Sequence, residues 1–67
     1  MYMAVDQYGR TEHGLIHPRR DLMQRVGVQH AEKIYVDNKV KGRLHVGYVI
    51  GQRWFTLYHV ARVERPI

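Results

Sequence analysis

The stretch 43–63 decides the fold, because Arg43-Leu-His-Val-Gly-Tyr-Val-Ile50 and Arg53-Trp-Phe-Thr-Leu-Tyr-His-Val60 are two β-rich runs joined by Gly51-Gln52. Val, Ile, Thr and aromatic side chains fit a pleated surface. A Gly at the first of two central turn positions suits a type II′ turn, which needs positive φ there. Folding about Gly51-Gln52 pairs Ile50 with Arg53, Val49 with Trp54, Tyr48 with Phe55 and Gly47 with Thr56. Continued outward, the same register pairs Val46 with Leu57, His45 with Tyr58 and Leu44 with His59. Alternation then assigns each side chain to a face. Leu44, Val46, Tyr48, Ile50, Phe55 and Leu57 make an apolar face, the expected core, edged by Arg53 and His59. Arg43, His45, Val49, Trp54, Thr56, Tyr58 and Val60 make the other, with a gap at Gly47 beside Trp54. A three-residue loop would exchange the two faces.

Upstream of this hairpin, Ile34-Tyr-Val36 is β-branched and aromatic, and predicts a strand over 32–37. Asp37-Asn38 ends it, and the turn region 38–42 carries Lys39, Lys41 and Gly42. Pro18 after His17 suits a helix start, since its φ is preset and its missing N–H would have been an orphan. Leu22, Met23 and Val26 share one stripe, while Arg19, Arg20, Gln24 and Arg25 take the other side. Gly27 is placed to stop the helix in the left-handed region, so one helix is expected over 18–26. Tyr2-Met-Ala-Val5 reads as a short strand, and Asp6-Gln-Tyr-Gly9 as the turn from which Arg10-Thr11-Glu12 returns. The expected architecture is a small α+β domain: an antiparallel sheet or partly open barrel of four or five strands with one short helix.

The segment Asp21-Leu-Met-Gln-Arg-Val-Gly-Val-Gln-His-Ala-Glu-Lys-Ile-Tyr35 resembles the core of a helix-turn-helix, and Gly51-Gln-Arg-Trp54 is similar to the wing of small excisionase-like winged-helix proteins. The resemblance covers about half the chain. It implies a recognition helix after Gly27-Val28 as the alternative fold. In that pattern Lys33 falls where the recognition helix should pack, and the apolar Ile34 comes one residue late.

Composition excludes more than it selects. The 67 residues form one domain, with 11 Lys+Arg against 6 Asp+Glu, no cysteine and no serine. Disulfides, thiolate or serine nucleophiles and Cys-ligated zinc are ruled out. No H-E-x-x-H pattern exists. His13 and His17 are four apart, but Gly14 and Pro18 argue against one helix carrying both. No metal or cofactor is expected. The chain has little room for a deep pocket and shows no carboxylate pair, so it is read as not an enzyme. No apolar run approaches a membrane span and no leader pattern opens the chain, so a cytoplasmic, membrane-free protein is expected. A core this small leaves a thin stability margin that a partner or a second copy can supplement.

The net charge of +5 favours acidic partners. Residues 38–53 contain no acid at all, so Lys39, Lys41, Arg43 and Arg53 give the hairpin region a positive rim. Arg43, His45, Trp54 and Tyr58 are the leading candidate site, because rings beside cations stack on bases while guanidinium meets phosphate. Alternatively Trp54 and Tyr58 receive the helix as a second small core. Arg19, Arg20 and Arg25 form a further basic cluster, either phosphate-binding or simply a solvated helix face. Arginine outnumbers lysine eight to three, which suits bidentate recognition. The expected function is non-catalytic binding of nucleic acid, DNA or RNA. Trp, Tyr and Arg are also hot-spot residues, so the alternative is a small effector of phage or mobile-element type docking on an acidic surface of a larger protein complex. A homodimer through a sheet edge is a third reading.

Overall fold

A computed structural model of the protein describes residues 1–60. Residues 61–63 of the stretch read first lie outside them. The elements run β1 (Tyr2–Val5), β2 (Thr11–Leu15), α1 (Pro18–Val26), β3 (Glu32–Asn38), β4 (Gly42–Ile50) and β5 (Arg53–His59). All five strands join one antiparallel sheet in the order β2-β1-β5-β4-β3. The sheet is open: β2 and β3 are edges and do not meet, so the barrel variant does not form.

The helix follows from its ends. Pro18 occupies the first turn, and the Asp21 carboxylate reaches back to accept the N–H groups of Ile16 and His17 at 3.0 and 3.1 Å, satisfying donors that the helix itself cannot. Those two N–H groups lower the Asp21 pKa, outweighing the opposing effect of burial, with help from the nearby charge of Arg20. At the other end Gly27 adopts φ 85°, and the N–H groups of Gly27 and Val28 both reach the Met23 carbonyl. No second helix follows among the described residues. Residues 32–38 are strand β3, so the winged-helix alternative is not supported; the β-branched and aromatic Ile34-Tyr-Val36 prefers the pleated conformation. Gly51 has φ 62° and, among the described residues, no non-Gly residue has positive φ, as a type II′ turn requires.

Among the described residues the fully buried apolar side chains are Ala4, Leu15, Leu22, Ile50 and Phe55, with Met23, Val26, Val28, Ala31, Tyr48 and Leu57 packed around them. The helix therefore covers the Phe55 side of the sheet. The turn between β1 and β2 is pinned to this core by a charge cluster. Asp6, its side chain fully inaccessible, accepts Arg53 Nε at 2.8 Å, while its other oxygen accepts the backbone N–H groups of Tyr8 and Arg10. Glu12 then bridges Arg53 and Arg25 at 3.3 and 3.2 Å. Gln7 completes the pinning, donating to the Gln52 carbonyl and accepting from the Trp54 N–H.

Two departures from regular pairing set the shape. The β4–β5 ladder holds the expected pairs from Ile50–Arg53 to Gly47–Thr56 and then stops. Beyond Thr56, β5 keeps only β1, pairing Leu57 with Ala4, Tyr58 with Met3 and His59 with Tyr2. The expected pairs Val46–Leu57, His45–Tyr58 and Leu44–His59 do not form, and β4 leaves with β3 as a two-stranded ribbon. Within that ribbon Ile34 faces Gly47 but Tyr35 faces His45, so Val46 is an extra residue with no partner opposite, a β-bulge. The result is a flat molecule of 42 × 36 × 21 Å, with a Cα radius of gyration of 13.3 Å; a compact chain of this length would have roughly 10–11 Å.

Candidate functional site

The bulge changes which residues share a face. From Tyr48 to Gly51 the alternation is as the sequence implies, with Tyr48 on the side of buried Phe55 and Val49 on the side of Trp54. One extra residue at Val46 then inverts the assignment. His45 and Arg43 lie on the Tyr48 side, and Leu44, paired with Val36, lies on the Trp54 side. The expectation that Arg43 and His45 share a face with Trp54 and Tyr58, and that Leu44 belongs to the core face, is corrected accordingly.

On the Tyr48 side the ribbon carries a continuous series of ring contacts. The Arg43 guanidinium sits 4.1 Å from the Tyr35 ring centroid. Tyr35 and His45 are 5.6 Å apart, and His45 meets Tyr48 edge-on at 4.8 Å. Lys33, opposite Tyr48 in the register, adds a cation to the same side. His45 Nε2 is 2.8 Å from the Gly47 carbonyl oxygen; a carbonyl only accepts, so Nε2 is the donor. At the ribbon tip Asn38 accepts the N–H groups of Val40 and Lys41, both at 2.9 Å, which folds the turn and holds Lys39 and Lys41 outward. Every residue from Tyr35 to Arg43 is exposed. Lys33, Lys39, Lys41 and Arg43 form no salt bridge among the described residues.

The remaining candidates separate from this group. Arg53 was expected in the positive rim but is held by Asp6 and Glu12 and lies 4.5 Å over the Phe55 ring, so its charge is compensated. Arg25 shares Glu12 with it. Arg19 and Arg20 are exposed on the helix, with Arg20 only 3.9 Å from Asp21. Trp54 and Tyr58 are 62% and 49% exposed. The helix lies on the opposite side of the sheet, so they do not receive it; with Met3, Val5 and Val49 they form an uncovered apolar face.

Sequence reasoning passed over Tyr35 and placed Tyr48 only in the core. The signal was present: with Asn38–Gly42 closing the turn, counting back pairs Asp37 with Arg43 and Tyr35 with His45.

Among the described residues no group of three or more ligating side chains could hold a metal ion, and no helix is long and apolar enough to cross a membrane. The chain matches no family model, no curated protein and no solved structure.

Proposed function

We propose that this protein binds nucleic acid through the Tyr35–Tyr48 side of the β3–β4 ribbon. The observation that carries the reading is the unbroken series Arg43–Tyr35–His45–Tyr48, flanked by lysines that form no salt bridge among the described residues, with Asp37 opposite Arg43 the one acid on this side of the ribbon strands. Rings supply stacking surface that any base can use, and the cations supply phosphate contacts. Four cations, Lys33, Lys39, Lys41 and Arg43, contacting phosphates give a salt slope of about −3 for a single strand, at about −0.7 per contact. Reversing Lys39, Lys41 and Arg43 together to Glu is expected to lower affinity for a generic oligonucleotide at least 100-fold at 50 mM salt. The melting temperature should hold, because all three side chains are exposed. Fluorescence anisotropy across a salt series checks both, and unchanged affinity rejects the reading.

The uncovered face around Trp54 and Tyr58 favours a second reading, docking on a larger protein. Such an interface would centre on Trp54, tolerate salt and be partner-specific.

A further inference from the structure

Where β4 and β5 part, the sheet opens into a cleft of about 520 Å³, within the range that small-molecule sites occupy. One wall is the edge-on pair Tyr2–His59, with centroids 5.3 Å apart; the other is His45–Tyr48, with Val46 of the bulge beside it. Thr56, the β5 member of the last β4–β5 ladder pair, lines it together with Leu57 and Pro18. Two walls of paired rings bound a space that suits a planar heterocycle. The wall residues His45 and Tyr48 are also the inner end of the ring series that starts at Arg43. The cleft is therefore where the ribbon surface leads.

We infer that this cleft takes one unstacked base of a single-stranded nucleic acid whose backbone runs along the ribbon cations. The inference rests on the ribbon being a nucleic-acid surface, and it specifies the substrate class. A duplex hides its base faces in its own stack, so neither the ring series nor the cleft can use them. A single strand offers them freely and can place one base between the walls.

The test uses a short oligothymidine carrying a single 2-aminopurine, the same strand annealed to its complement, and free adenosine monophosphate as a third probe. The single strand should bind at least tenfold more tightly than the duplex, and 2-aminopurine emission should change on binding. His59 is exposed and outside the ribbon, so His59→Ala should keep the melting temperature and the salt slope but weaken single-strand binding about tenfold, the loss of part of one stacking contact. Equal binding of duplex and single strand, with His59→Ala like wild type and the salt slope retained, overturns the cleft inference while the ribbon reading stands. No binding of either form at 50 mM salt overturns both. Adenosine monophosphate binding as tightly as the oligonucleotide, and indifferent to charge reversal on the ribbon, would make the cleft a free-nucleotide site and also overturn the inference.

Discussion

Asp6 shows how one residue couples a local turn to the whole core. Its carboxylate organises the Tyr8–Arg10 turn through backbone N–H groups and fastens that turn to β5 through Arg53. Burial by itself would raise its pKa, but the Arg53 hydrogen bond, the N–H groups of Arg10 and Tyr8, and the Arg53 charge together hold it below the ordinary 3.8. A carboxyl with a depressed folded-state pKa binds fewer protons folded than unfolded, so its stabilisation is complete above the unfolded value and is lost as pH falls through the folded one. Acid unfolding should therefore set in below about pH 3.8 and steepen toward lower pH, with Asp21 acting in the same direction. In Asp6→Asn that acid-side slope should be reduced and the melting temperature at pH 7 lowered; a melting profile between pH 2 and 7 checks it, and an unchanged slope would show that the Asp6–Arg53 pair does not matter. The Asp6–Gly9 turn was legible in the sequence, but its fastening to Arg53 was not. Asp6 and Arg53 are 47 positions apart, and at a hairpin tip Arg53 looks like any free surface cation.

At the scale of elements, legibility followed local chemistry. Pro18 and Gly27 bracket the helix, Gly51 fixes the main turn, and Ile34-Tyr-Val36 marks β3, each through a conformational preference carried by the residues themselves. The bulge at Val46 and the parting of β4 from β5 have no such local signature, because Leu44-His-Val46 alternates equally well in either register. Gly47 is the hinge of this arrangement: a Cβ there would lie against the Phe55 backbone carbonyl, its carbon 2.9 Å away, so only Gly lets the strands meet before they part. The same absent side chain was read as a gap beside Trp54, right about the space and silent about the backbone that fills it. Gly47→Ala is expected to cost about 3 kcal/mol, the upper range for forcing atoms into packed structure. A lowered urea midpoint with unchanged m-value would show it; a loss below about 0.5 kcal/mol would mean the strands separate freely at this point.

For the whole molecule, the sheet is one layer with a helix over only part of one side, and that geometry separates two surfaces the sequence had merged. Arg43, His45 and Tyr48 face the cleft side, while Trp54 and Tyr58 face away, with the thickness of the sheet between them. Composition located an acid-free basic stretch over 38–53 but could not divide it from the aromatic face, since that division turns on a single inserted residue. Substitutions on opposite sides with no shared partner should act independently. Arg43→Glu should therefore weaken oligonucleotide binding by about tenfold, and Trp54→Ala should leave both the affinity and the salt slope within twofold of wild type. The double variant should then match Arg43→Glu alone, since separated sites couple by less than about 0.5 kcal/mol. If Trp54→Ala instead costs as much as Arg43→Glu, and the double variant costs far less than their sum, the nucleic acid must wrap the sheet edge and touch both faces, and the division of labour between them is wrong.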